Sequence, residues 1–138
     1  MSKKSGFTML ELILVVIIVA VLAAGAIPVM TGSMRRARVN EARAALESIR
    51  AQLRLVRNIS GGYDTRSDGA AVNVGLVVGN VPGFIAGDLT GEFFLDSDYT
   101  ISDISPAVFT ARALGTRAMV AGITVTINEA GDITESGY

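Results

Sequence analysis

Cysteine, histidine and tryptophan are all absent from this chain of 138 residues. Without cysteine there is no disulfide framework, thiol nucleophile or thiolate metal site. Without histidine the chain lacks the commonest general base and the commonest metal ligand. A glycine-rich phosphate loop followed by lysine is also missing. We therefore predict no catalytic site, no cofactor and no metal site, and we do not expect an enzyme.

Net charge is close to zero, but it is unevenly distributed. The whole chain carries −1, so DNA binding is not indicated. Residues 35–57 hold seven arginines against two glutamates, a sum of +5. Residues 58–138 hold three arginines against ten acids, a sum of −7. This asymmetry predicts attraction between two parts of the chain, or between neighbouring copies of it.

One long uncharged segment dominates the first part of the chain. From Leu12 to Met34 there are 23 residues without a charge, mostly leucine, isoleucine, valine and alanine. About 20 apolar residues span a bilayer core as a helix, so this segment is predicted to be transmembrane. Two alternatives fit the same residues. One is a secretory signal peptide with a small-residue cleavage site at Ala24-Gly25-Ala26, and the other is a plain membrane anchor.

The charges that flank this segment give conflicting predictions of its orientation. Lys3 and Lys4 favour an N-terminus in the cytoplasm. Arg35, Arg36 and Arg38 at the other end favour the reverse. Charge counting by itself therefore leaves the orientation open.

Helical periodicity resumes after this segment. Apolar residues alternate at spacings of three and four, which predicts a buried stripe close to a heptad seam: Val39, Ala42, Leu46, Ile49, Leu53 and Val56. Four arginines recur every seven residues beside it: Arg36, Arg43, Arg50 and Arg57. We predict one long helix over 7–57, bent or loosened near Gly25, Pro28 and Gly32, because proline removes a backbone donor and can kink a helix without ending it.

Residues 58–138 change character, with more glycine, aspartate, serine and threonine. The uncharged stretch Gly69–Gly87 has glycines at intervals of four, yet its asparagines and proline disfavour a helix. We interpret it as a glycine-rich connecting region that contains one short strand, Val72–Val78.

Strand signals follow this connecting region. Two segments rich in β-branched and aromatic residues, Tyr99–Ile104 and Val108–Leu114, are predicted to be strands. The stretch GITVTINEAGDITE alternates apolar residues with threonine and turns at Glu129-Ala130-Gly131, which predicts a hairpin. The predicted fold is therefore α+β: a long N-terminal helix, transmembrane in its first half and amphipathic in its second, packed on a small antiparallel sheet.

Glu11 is the one charged residue within the apolar N-terminal run. A carboxylate in a bilayer core costs about 2.5–3.5 kcal/mol, so it persists only with a partner or at the interface. If the chain were cut between Gly6 and Phe7, the new α-amine of Phe7 would lie four residues before Glu11. Opposite charges attract strongly in apolar surroundings, so this pair could close within one chain or between neighbouring chains.

The stretch KKSGFTMLEL resembles the prepilin leader and N-terminal motif of type IV pilins and the related type II secretion pseudopilins. The shared elements are a short basic leader, a glycine before the cut, phenylalanine, and a glutamate four residues later in a long apolar helix. This resemblance covers residues 3–30. It divides the chain into a leader (1–6), a transmembrane and filament-core helix (7–30), an amphipathic continuation (31–57) and a globular head (58–138).

The resemblance implies a processing and assembly route. A prepilin peptidase would cleave after Gly6 and methylate the amine of Phe7, and Glu11 would take part in subunit docking with Phe7. Gly25, Pro28 and Gly32 would mark a kinked or locally unwound stretch. The stripe of Arg36, Arg43, Arg50 and Arg57 would meet carboxylates of neighbouring subunits, a hypothesis that rests on the charge asymmetry described above.

The partners and location follow from the same resemblance. The expected partners are identical or homologous subunits, the peptidase and methyltransferase, an inner-membrane assembly platform with its ATPase, and the lipid bilayer before assembly. The chain would cross the inner membrane once, with its N-terminus in the cytoplasm, and then join an extracellular pilus or a periplasmic pseudopilus. The alternatives are a type II secretion pseudopilin and, in a different class, a monomeric membrane-anchored or secreted binding module.

The resemblance also raises the question of calcium, because major secretion pseudopilins often bind it near the C-terminus. Asp96, Asp98, Asp103 and Glu92 could supply oxygen ligands. Their spacing fits no loop motif such as the EF-hand, and we interpret them as an acidic surface turn.

Overall fold

A computed structural model describes residues 6–137, and for residues 26–29 and 31 it describes the backbone alone. The chain divides between Arg36 and Ala37 into two units. One helix, α1, occupies Met9–Ser60, a length of 52 residues. The remaining regular elements all belong to the second unit.

The helix begins at Met9 and ends at Ser60, two residues after the predicted start and three residues after the predicted end at 57. Gly61 follows the last helical residue with φ of 89°, and its N–H donates to the carbonyl of Arg57 at 2.8 Å. A glycine in this left-handed conformation satisfies one of the carbonyls that a helix end leaves without a partner. The chain then turns back toward the sheet.

Five antiparallel strands form one sheet in the order β1-β2-β3-β4-β5, so every strand pairs with its neighbour in sequence. Their bounds are Gly75–Leu76, Tyr99–Ile104, Phe109–Leu114, Thr124–Asn128 and Ile133–Ser136. The prediction for Tyr99–Ile104 is confirmed at both ends, and the hairpin of β4 and β5 turns at the predicted residues.

The connecting region is much less regular than a strand, as its composition indicates. The predicted strand Val72–Val78 shrinks to two residues, Gly75 and Leu76. Gly79, which follows the strand, has φ of 80°, a conformation that interrupts a β ladder. The segment therefore follows the head surface through turns, and the predicted strand is correct in place but too long.

The core lies between the second half of α1 and one face of the sheet. All six residues of the predicted seam are buried: Val39, Ala42, Leu46, Ile49, Leu53 and Val56. The strands contribute alternate residues, as the period of two requires: Tyr99, Ile101, Phe109, Ala111, Ala113, Val125 and Ile127. Burial is the main reason that the pKa of the Tyr99 phenol is raised above its ordinary value. The predicted α+β architecture is confirmed.

Candidate functional site

The N-terminus of α1 is closed by a reciprocal pair of hydrogen bonds between Thr8 and Glu11. The hydroxyl of Thr8 accepts the N–H of Glu11 at 3.2 Å. The carboxylate oxygen Oε2 of Glu11 accepts both the N–H of Thr8, at 3.0 Å, and its hydroxyl, at 2.9 Å. This is a capping box, in which the backbone N–H of each residue, left without a partner at a helix start, donates to a side-chain oxygen of the other.

Glu11 therefore has a local structural role that the sequence prediction did not include. The spacing Thr-x-x-Glu before an apolar run is a recognised signal for a helix start, so the pattern that reveals this role is present in residues 8–11. The acceptors in these three hydrogen bonds are Oε2 of Glu11, which accepts two, and the Thr8 hydroxyl, which accepts one. Within the part of the chain that the structure describes, no hydrogen bond reaches the other carboxylate oxygen, Oε1.

The predicted cleavage point lies immediately before this cap. Gly6 and Phe7 precede the first helical residue, so the bond between them lies in irregular backbone. A Cβ at Gly6 would have no atom within 4 Å, and the Phe7 side chain is 75% exposed. Residues 1–5, which complete the predicted leader, lie outside the described residues.

The first turns of α1 expose an apolar surface. From Met9 to Leu22, every large apolar side chain is at least 46% exposed, including Leu10, Ile13 and Ile17. Burying one such side chain stabilises a structure by about 1.5–3 kcal/mol, so this surface favours association with an apolar environment. Within residues 6–137, and leaving out the side chains at 26–29 and 31, no helix meets the criteria of length and hydropathy for a membrane span.

The helix α1 continues without a break through the predicted kink at Gly25, Pro28 and Gly32. Gly25 and Gly32 have open space around them, since a Cβ at either position would meet nothing within 4 Å. The side chain of Pro28 lies outside the described residues. Local unwinding at these three residues in a filament stays a prediction.

The structure brings three of the four stripe arginines into contact with the head of their own chain. Arg43 forms an ion pair with Glu135 on β5. Arg50 donates to the carbonyl of Ala130 at 2.7 Å. Arg57 stacks on the ring of Tyr63, with its guanidinium carbon 5.0 Å from the ring centre. Three of the arginines thus attach the hairpin and the first loop to α1, and contacts between subunits stay a prediction for the polymer.

Glu41 makes the most elaborate of the described polar contacts between α1 and the head. Its two carboxylate oxygens accept the backbone N–H groups of Glu92, Phe93 and Phe94 at 2.8–3.2 Å. A Cβ at Gly91 would collide with this carboxylate, so the glycine allows the loop to approach. The sequence analysis missed this contact, because no spacing rule connects a helix residue with a loop more than 50 positions away.

The acidic turn considered as a calcium site uses its carboxylates within the chain. Asp96 accepts the N–H groups of Gly87 at 2.5 Å and Leu89 at 2.9 Å. Asp98 is buried and accepts the N–H of Leu95 and the hydroxyl of Thr116. Among the described residues, no cluster of three or more acidic side chains could hold a metal ion. The interpretation as an acidic surface turn is wrong for Asp98, which is buried, and for Asp103, which lies on β2.

Comparison with known proteins agrees with both the motif and the fold. The family model of the prokaryotic N-terminal methylation motif matches residues 1–27. The crystal structure of the non-core minor pilin PilV of Neisseria meningitidis superimposes with a TM-score of 0.51 at 23% identity, covering 77% of this chain and 90% of that chain. No curated protein sequence matches the chain. The chain therefore carries the prokaryotic N-terminal methylation motif at its start, as the resemblance of residues 3–30 predicts, and it shares the fold of this minor pilin.

Proposed function

We propose that this protein is a structural subunit of a type IV pilus or a pilus-like filament, and that it polymerises through the exposed apolar surface of α1 after leader cleavage. The observation that supports this most is the combination of the methylation motif with an exposed apolar helix whose N-terminus is capped by Thr8 and Glu11. A type II secretion pseudopilin, which builds a periplasmic pseudopilus, has the same features and is the alternative.

Cleavage supplies the charge that Glu11 needs. Before cleavage, the nitrogen of Phe7 is part of an uncharged peptide bond to Gly6. Hydrolysis of that bond releases an amine, which is a cation at neutral pH, and methylation leaves it basic. The bond precedes the first helical residue, so a prepilin peptidase could bind it as extended backbone without unwinding α1.

Docking then uses the free side of the Glu11 carboxylate. Oε2 is held by Thr8, which fixes the rotamer of the side chain. Oε1 can accept the amine of Phe7 from a neighbouring subunit while the cap stays formed. In the wrong register each charge would be left in apolar surroundings without a partner, which is costly, so the pair favours one axial offset between subunits.

Before assembly, the same apolar surface would be covered by lipid. In this proposal residues 7–30 cross the inner membrane with the N-terminus in the cytoplasm, and the head lies on the other side. An assembly platform and its ATPase would extract the subunit into the filament, because nothing in the sequence resembles a phosphate-binding loop. The finished filament would be an extracellular pilus or a periplasmic pseudopilus.

Of the four stripe arginines, Arg36 is the strongest candidate for contact with the acidic head of a neighbour. It is exposed, and it lies on the N-terminal side of the unit that contains the head. A single exposed ion pair contributes about 0–1 kcal/mol, so any such contact would act by repetition along the filament.

The charge of Glu11 can be separated from its capping role by three substitutions. Glu11→Gln keeps a capping-box side chain but removes the charge, Thr8→Ala removes the cap but keeps the charge, and Glu11→Ala removes both. We expect both Glu11 variants to reduce filament yield at least tenfold and Thr8→Ala to reduce it much less. Mass spectrometry of the N-terminus must still find N-methylated Phe7 in each variant.

Two results would contradict the proposal. One is normal filament yield from Glu11→Gln with Phe7 methylated, which would remove the charge pair as the docking element. The other is a mature wild-type protein that begins at Met1 or after Ala26. That N-terminus would indicate an anchored or secreted module in place of a processed subunit.

A further inference from the structure

Two adjacent arginines, Arg35 and Arg36, follow the uncharged segment of α1 directly. Both side chains are exposed. No acidic residue occurs between Glu11 and Glu41, so this part of the helix is a local concentration of positive charge. The next arginine, Arg38, lies over the ring of Phe93, with its guanidinium carbon 5.7 Å from the ring centre, and is thus in contact with the head.

The length of the uncharged segment sets where these arginines lie relative to a bilayer. The 23 residues from Leu12 to Met34 are helical throughout. At 1.5 Å per residue they span about 35 Å, against a hydrocarbon core of about 30 Å. With Glu11 at one boundary of the core, Arg35 and Arg36 reach the level of the phosphate groups on the other side.

We infer that Arg35 and Arg36 bind the head groups of anionic phospholipids in the outer leaflet of the inner membrane while the subunit awaits assembly. Arginine is suited to this ligand because its planar guanidinium binds phosphate oxygens through two parallel hydrogen bonds. The inference rests on the proposed function, since it requires the membrane-inserted form of the subunit.

This binding accounts for a feature that is otherwise anomalous. Arginines on the outer side of a membrane segment oppose the positive-inside rule, which the topology with Lys3 and Lys4 in the cytoplasm otherwise satisfies. Anionic head groups offset the cost of this placement and hold α1 at a fixed depth. Entry into a filament then requires that the lipid be exchanged for protein contacts at the same two side chains.

The test measures lipid preference on the full-length chain in a non-ionic detergent. Native mass spectrometry resolves the first bound lipid, and the probes are phosphatidylglycerol and zwitterionic phosphatidylcholine. Each arginine near an anionic lipid surface contributes a factor of about five to affinity, so Arg35→Gln/Arg36→Gln should lower the preference for phosphatidylglycerol by about 5-fold to 30-fold. Binding of phosphatidylcholine should not change.

Two matched variants serve as controls. Arg35→Lys/Arg36→Lys keeps both positive charges and should retain most of the preference. Arg54→Gln/Arg57→Gln removes the same net charge from two exposed arginines farther along α1 and should retain all of it. Circular dichroism and thermal unfolding of each variant verify that the head remains folded.

Three results would overturn the inference. The first is an unchanged lipid preference in Arg35→Gln/Arg36→Gln, and the second is an equal loss in Arg54→Gln/Arg57→Gln. The third is full displacement of phosphatidylglycerol by millimolar inorganic phosphate, which would indicate a site for a soluble anion. If the wild type shows no preference while Glu11→Gln still blocks assembly, this inference fails and the proposed function stands.

Discussion

Replacing Glu41 by alanine should destabilise the head more than any other single change to a polar side chain on α1. The carboxylate accepts three consecutive backbone N–H groups, from Glu92, Phe93 and Phe94, at 2.8–3.2 Å. Phe93 and Phe94 are buried, so in the variant their N–H groups would lose their partner in a poorly solvated place.

The size of the effect follows from this geometry. A hydrogen bond to a charged group contributes about 1.5–3 kcal/mol, and the most exposed of the three contributes least. We therefore expect Glu41→Ala to lower the free energy of unfolding by about 3–5 kcal/mol. A small domain has about 5–15 kcal/mol in total, so this loss is large enough to measure easily.

Glu47→Ala is the matched control. Glu47 lies on the same helix and pairs with Arg50 at 3.3 Å, but its side chain is 47% exposed. An exposed pair of this kind contributes about 0–1 kcal/mol. Both variants therefore remove one negative charge from α1. They differ in the contacts that are lost: three backbone hydrogen bonds for Glu41 and one exposed ion pair for Glu47.

Two measurements on the full-length chain in detergent compare the stability of Glu41→Ala with that of Glu47→Ala. Denaturant unfolding followed by tyrosine circular dichroism gives the free energies, and amide hydrogen exchange reports residues 92–94 directly. Exchange at these amides should accelerate in Glu41→Ala and not in Glu47→Ala. Equal unfolding free energies for the two variants, or unchanged exchange at residues 92–94, would refute the reasoning.

Two further predictions concern the head. Gly131 has φ of 98°, and a Cβ there would meet a guanidinium nitrogen of α1 at 2.7 Å, whereas Gly69 has φ of 81° and open space. Gly131→Ala should therefore cost about 1 kcal/mol more in unfolding free energy than Gly69→Ala, and equal costs would exclude the steric contact. The hydrogen bond from the N–H of Gly87 is the main cause that lowers the pKa of Asp96 below its ordinary value. This hydrogen bond therefore stabilises the head above about pH 4, and the stabilisation is lost as the pH falls through the lowered pKa of Asp96. The amide of Gly87 should then exchange faster in acid, and Asp96→Asn should abolish this pH dependence.

The local elements of this protein follow from its sequence because short-range physics fixes them. A stripe with spacings of three and four predicts which face of α1 is buried, and Val39 through Val56 confirm it. Alternating β-branched residues predict the bounds of β2, and a glycine in the left-handed conformation ends α1 three residues after the predicted place. In each case the residues that determine the structure lie within one turn or one hairpin of each other.

The N-terminal motif was predictable for the same reason, since all its elements lie within residues 3–12. Even there one part was missed. The prediction paired Glu11 with the amine of Phe7 and left out Thr8, whose hydroxyl and N–H donate to its carboxylate. The capping signal is a local rule, and applying it would have identified this contact.

Only the tertiary structure decided how the charges are used. The sequence shows an excess of arginine on α1 and of acid in the head, but it cannot assign partners, because a pair such as Arg43 with Glu135 depends on where the fold places two distant segments. The same holds for Glu41 and the amides of residues 92–94, where a helix carboxylate meets a loop more than 50 residues away. Periodicity fixes which face of an element is buried, whereas the packing of elements against each other fixes which polar groups meet.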